Sequence, residues 1–191
     1  MADSKTVEFT AGVDQGGARG IFAAMAGVLS SRGMSILAAE TALLADGLLL
    51  LRYRATDTQA AGPSDEKRLT QVAKEMVAAI DSTTPPNFRR FWGTENKADA
   101  TLTSLSTEVR LDSQISAEHL VVEVFTFDRI GLMYDLARTL HDMDLSIRHA
   151  KIGTYLDQVV DVFYVTERDG AKPVSEERVA GIREGLMRVL E

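Results

Sequence analysis

Cysteine is missing from all 191 residues, so disulfides, thiolate metal sites and cysteine nucleophiles are excluded. Three histidines leave zinc chemistry little to work with, and no metal or other cofactor is expected. Basic charge is in deficit: 28 acidic against 21 basic side chains give a net charge of -7, which repels phosphate backbones and anionic lipid heads and argues against nucleic acid as a partner. Long apolar runs are lacking too, since a stretch such as Leu48 to Leu51 is far short of the roughly 20 residues that span a bilayer. The opening Met1-Ala-Asp-Ser-Lys-Thr has neither the basic nor the apolar region of a signal peptide, so a cytoplasmic address without membrane contact is expected. What is present, 45% apolar and 26% charged residues with four prolines, is the composition of a globular chain able to bury a core.

The chain overlays on itself. Residues 20–57 lie on 131–168 without a gap, so that Gly20 meets Gly131, Ile36 meets Ile147, Ala39 meets Ala150, Asp46 meets Asp157 and Tyr53 meets Tyr164, each 111 positions on. Upstream, Val13-Asp14 matches Phe127-Asp128, and the first copy carries three extra residues within Gln15 to Arg19. Self-similarity over half a chain implies a duplicated folding unit, expected as domains 1–112 and 113–191.

Each copy reads in one order. His119 to Phe127 is β-branched and aromatic, a turn-like Asp128-Arg129-Ile130-Gly131 follows, and Leu132, Leu136, Ala137 and Leu140 recur at helical spacing. Leu145 to Tyr155 and Gln158 to Thr166 then read as a hairpin around Leu156-Asp157, before a helix carrying Val179, Ile182, Leu186, Val189 and Leu190. The first copy gives Val7 to Asp14, a helix with Ile21, Met25, Val28 and Leu29, strands around Ile36 to Leu44 and Leu48 to Thr56, and a helix from Leu69 to Ile80. Thr101 to Leu111 is expected as its fourth strand, reached through a Pro85-Pro86 connection over Ser82 to Ala100. The fold class predicted is α+β: two ferredoxin-like βαββαβ modules, helices on one face of antiparallel sheets, the second without a final strand of its own. Either that second sheet has three strands or its edge is completed from elsewhere.

The gapless overlay also predicts faces. Leu49, Leu51 and Tyr53, with Val160, Val162 and Tyr164, are expected to meet the helices. The opposite set, Leu48, Leu50, Arg52 and Arg54 with Val159, Asp161, Phe163 and Val165, is too apolar for plain solvent surface and predicts packing on another module, in the chain or in a dimer. Ile147 and Ala150 are an odd number of residues apart, so a bulge is predicted near Arg148 and His149 if both point inward.

The turns Asp14 to Gly20 and Asp128 to Gly131 stand out from the scaffold. A glycine opening a helix lets backbone approach a ligand, the free helix amides favour a carboxylate, and the aspartate can accept from an ammonium group, which together suit a zwitterion. A helix-capping aspartate beside a turn glycine accounts for the same residues at even weight.

Asp128-Arg129-Ile130-Gly131-Leu132-Met133-Tyr134-Asp135, His149-Ala150-Lys151-Ile152 and Val160-Asp161-Val162-Phe163-Tyr164-Val165-Thr166 resemble an ACT domain and, more narrowly, are similar to the C-terminal ACT pair of bacterial PII uridylyltransferase/uridylyl-removing enzymes. The second copy matches over about 70 residues and the first as a more degenerate ACT domain. The resemblance implies modules that pair and hold an amino acid where the Asp-Arg-x-Gly loop of one meets the second strand of another. It points to Asp128, Arg129, Ile130, Gly131 and Leu132 with His149 and Ala150, and in the first copy to Asp14, Arg19, Gly20, Ile21 and Ala39. Ile130 stands where the family usually has proline, and the first copy has an insertion in place of the tight loop. Implied partners are glutamine as first-choice effector, the catalytic domains of a parent chain, and a second copy in a homodimer.

No nucleotidyltransferase signature, lysine-bearing phosphate loop or nucleophile elbow occurs, so no catalytic centre is expected in this chain. His141-Asp142 with His119, His149 and Asp161 is the nearest approach to a metal constellation, but its members fall on separate elements without ligand spacing. Arg89-Arg90-Phe91-Trp92 is read as linker packing rather than a nucleic-acid patch. The alternative to a sensor is a ligand-free ACT assembly module.

Overall fold

Period-two alternation produces strands and 3.6-residue apolar stripes produce helices in the expected order. A computed structural model describes residues 6–14, 20–44, 47–80, 82, 106–127, 129–155 and 158–191. The elements are β1 (Thr6–Asp14), α1 (Ile21–Ser31), β2 (Met34–Leu43), β3 (Leu48–Asp57), α2 (Glu66–Ile80), β4 (Glu108–Asp112), β5 (Leu120–Phe127), α3 (Leu132–Asp142), β6 (Leu145–Tyr155), β7 (Gln158–Glu167) and α4 (Glu176–Leu190). All seven strands form a single antiparallel sheet in the order β1-β3-β2-β6-β7-β5-β4, with the helices on one face. None of the described helices is long and apolar enough to cross a membrane.

The sheet is continuous because the two copies pair through their second strands. Ala38, Ala39 and Glu40 of β2 lie opposite Lys151, Ala150 and His149 of β6. Adding 111 turns the first set into the second in reverse order, so the seam is a pseudo-two-fold centred on Ala39 and Ala150. Both alanines are buried, and α1 packs on α3 above them. Larger side chains there would hold the two helices off the sheet.

One strand lies elsewhere than expected. Of Thr101 to Leu111, positions 101–105 fall outside the described residues, as does 83–100 with Arg89 to Trp92; β4 pairs with β5, and its partner is thus the second sheet, not the first. The edge of the second sheet beside β5 is thus taken by the strand that precedes it in sequence. Val109 lies opposite Val124 and is buried, while Arg110 lies against the Phe125 ring at 4.7 Å, so both faces of the edge are held.

The predicted bulge is present in both copies, between Ile147 and His149 and between Ile36 and Ala38. The predicted inward face of β7 is overturned. Leu51 and Tyr53 are buried on β3 as expected and Leu49 is half-buried, but β7 buries Val159, Asp161, Phe163 and Val165, leaving Val160 40% exposed. The reason is a hairpin shorter by one residue: Leu43 pairs with Leu49, whereas Thr154 pairs with Val159. Ala39 therefore faces Tyr53 while Ala150 faces Phe163, and beyond the turn the equivalence becomes 110. A one-residue slip inverts a whole strand.

That shifted equivalence exposes a duplicated brace. Asp57 at the end of β3 takes a two-pronged bond from Arg68 of α2, at 2.7 and 3.0 Å, and Arg68 also donates to Arg32 O at the end of α1. In the second unit Glu167 takes the same bond from Arg178, 2.8 Å on each prong, and Arg178 donates to Met143 O. Each arginine ties a strand end, a helix start and a helix end together.

Candidate functional site

Both first helices open on a glycine in the left-handed region, Gly20 at φ 67° and Gly131 at φ 84°. This conformation costs other residues about 1–2 kcal/mol. Beside Gly20 lies a cavity of about 270 Å³ between the units. The first unit supplies Gly20 to Ala23, Thr41, Leu49 and Leu51; the second supplies Ala137, His141, Leu145 to Arg148, and Arg168.

Several contacts shape this cavity. The Tyr53 hydroxyl donates to Phe22 O at 2.8 Å, pinning the first turn of α1, and burial holds that phenol's pKa well above its ordinary value. Thr41 donates across the seam to Ile147 O at 2.8 Å, so β2 grips the bulge of β6. The bulge turns Arg148 into the lining, where its Nε donates to Thr166 Oγ1 at 3.1 Å. Arg168 is paired with Asp144 at 2.7 Å. Among the described residues, none that lines the cavity is acidic.

Of the positions the sequence singled out, the cavity gathers Gly20 and Ile21. Asp14 is exposed at the end of β1, and Arg19 and Asp128 lie outside the described residues. Arg129 is paired with Asp135 and donates to Val189 O, Ile130 is 45% exposed, and Leu132 is buried as the first residue of α3. Ala39 and Ala150 belong to the seam. His149 sits against the Tyr164 ring and 3.8 Å from Glu40; His119 flanks the same ring, and His141 is in the cavity, so the three histidines do not converge. Sequence reasoning missed Thr41, Ser146, Arg148 and Arg168 as lining. The bulge was the available signal for Arg148, because a bulged residue is re-aimed.

Residues 108–190 match the family described as ACR9-like, ACT-like domain. That span begins at β4 and ends with α4, the four strands and two helices of the second unit. The second unit is an ACT-like domain. The first repeats its order of elements through the pseudo-two-fold, so the ACT-like fold holds for both. Across the tandem the chain is 31% identical over 173 residues to a bifunctional uridylyltransferase/uridylyl-removing enzyme of Azospirillum brasilense, covering 90% of this chain. It is 31% identical over 169 residues to that of Rhodospirillum rubrum, and 30% over 175 residues to that of Caulobacter vibrioides, covering 87% and 91% of this chain. The chain spans about 18% of the length of these relatives.

Between the ACT-like units, Gly20 faces the His141 ring closely: a methyl group added there would stand 3.4 Å from Nε2. Gly20→Ala is therefore expected to lower stability by about 1–2 kcal/mol, from the positive φ, with little steric penalty. Urea unfolding would measure the loss, and a neutral result would mean the α1 start relaxes to a negative φ.

Proposed function

We propose that this tandem reports the level of a small amino acid to the catalytic domains of a longer cytoplasmic protein of the uridylyltransferase/uridylyl-removing kind. Glutamine is the effector to test first, and nitrogen regulation is the setting. The observation that carries this is the cavity between the units: about 270 Å³, just below the ~300–1,000 Å³ of ordinary small-molecule sites, and opened by a glycine. The sequence offers two such loops, Asp14 to Ile21 and Asp128 to Leu132. Because the walls come from both units, a guest there binds the docked tandem in preference to the separated units, and its binding energy becomes docking energy.

The test is thermal unfolding with each of the twenty amino acids. A ligand at a hundredfold excess over its Kd adds about 2.7 kcal/mol, and for a chain of this size that raises Tm by about 5–10 °C. Glutamine is expected to do so. No shift with any amino acid would remove the sensing reading.

A second reading, the ligand-free assembly module, is favoured by one observation. The helix-free face of the second unit carries Phe127 52% exposed and Val160 40% exposed, with Phe125 and Val162 half-buried beside them. That face suits a homodimer. A dimer in sedimentation equilibrium, together with silence toward every amino acid, would support assembly over sensing.

A further inference from the structure

Resting on that sensing reading, we infer that the tandem takes one effector per chain, in the Gly20 cavity, and that Arg148 selects it by holding the ligand's carboxylate. Duplication alone would give two equal sites. The pseudo-two-fold brings the Gly131 loop to β2 as it brings the Gly20 loop to β6, but the residues at matching positions differ in charge. At the positions that the pseudo-two-fold matches to Arg148 and His141 of the Gly20 cavity, the chain has Leu37 and Ser30. Leu51 of the first cavity corresponds, through the shortened hairpin, to Asp161, a buried carboxylate. An anionic group is drawn to the first arrangement, which has the guanidinium, and meets no cation at the matching positions of the second.

Arg148 is also free to do this work. Its Nε is bonded to Thr166, it lines the cavity, and it forms no ion pair among the described residues, its Nη2 lying 3.8 Å from where a methyl group on Gly170 would stand. A guanidinium in that state binds a carboxylate through two parallel bonds. Arg168 is already paired with Asp144, and in the Gly131 loop Arg129 is committed to Asp135 and Val189 O. With no acidic residue in the lining among the described residues, the ligand's carboxylate is the group this cavity recognises by charge, and its amino group is left to hydroxyl and carbonyl acceptors such as those around Thr41.

Isothermal titration of the full chain tests this with L-glutamine, or whichever amino acid raises Tm most, against the same molecule lacking its α-carboxylate, which for glutamine is 4-aminobutanamide. One equivalent per chain is expected for the amino acid, and no heat for the amine. Arg148→Gln is expected to weaken binding about 10- to 100-fold, the range of a hydrogen-bonded charge. Arg148→Lys should retain part of it. Two equivalents per chain would overturn the inference, as would wild-type binding by Arg148→Gln or by the amine, and sensing would stand in each case. Silence toward all amino acids would fell sensing and this inference together. Should Arg148→Gln fail to fold, the amine decides, since it leaves the protein unaltered.

Discussion

Asp57→Ala is expected to cost about 3 kcal/mol, among the largest losses available to a single surface-to-core contact in this chain. The Asp57 side chain is fully shielded from solvent, while Arg68 is 28% exposed, so truncation strands a partly buried guanidinium and releases the Gln59 amide bonded to the same carboxylate. Breaking a fully buried pair costs about 3–5 kcal/mol, and the partial exposure of Arg68 puts this one at the low end. The α1 end loosens with it, because Arg68 also holds Arg32 O. Glu167→Ala, in a brace whose partners are 27% and 33% exposed, should lose less, about 1–2 kcal/mol. Urea denaturation of both variants measures the difference, and a Glu167 loss exceeding that of Asp57 would contradict the burial argument. The brace also sets an acid limit. Burial by itself would raise the Asp57 pKa, but the Arg68 and Gln59 hydrogen bonds outweigh it and hold the carboxyl below its ordinary value. A depressed carboxylate stabilises fully above its unfolded pKa of about 4, and the contribution fades as pH falls through the lower folded value. Wild type should thus lose stability below about pH 4 more steeply than Asp57→Ala, a difference visible in Tm against pH.

Phe163→Ala is expected to cost about 3–5 kcal/mol, the range for removing a fully buried aromatic ring, whereas Tyr164→Ala should cost about 1–2. Tyr164 is half-buried and its ring contacts are His119 and His149, at 6.2 and 5.7 Å between centroids. The gapless overlay of the two copies predicts the opposite order, with Tyr164 inward and Phe163 outward. Thermal unfolding of the two variants decides which face of β7 meets the helices. Equal losses would mean that the strand samples both registers.

Most of the fold was legible because local pattern and tertiary role agree. The glycine-opened helices, the hairpin ends at Leu145 and Tyr155, and the bulge before Ala150 each follow from spacing within a few residues. The β7 face was not legible, because the one residue missing from the second hairpin leaves the flanking sequences equally apolar on both sides: Val159, Phe163 and Val165 compete with Val160, Val162 and Tyr164. The fourth strand was misassigned for a related reason, since sequence order puts Glu108 to Asp112 after the first unit, and nothing in its residues names the edge it joins. The cavity was half legible. Gly20 and Ile21 follow from the loop pattern, but Thr41 comes to it from β2, Arg148 from β6 and Arg168 from the turn after β7.

The amino-acid sequence by itself determined that this chain is a duplicated α+β protein without thiol chemistry, with two strand-to-helix turns built alike, because periodicity and composition act over a few neighbouring residues. Tertiary structure alone decided that the copies share one sheet through Ala39 and Ala150, that β4 closes the second edge, and that the cavity is walled by both units. The shared sheet and the shared cavity depend on the register between β2 and β6, more than a hundred residues apart, and the closing edge on the pairing of β4 with β5, where a shift of one position exchanges the buried face for the exposed one.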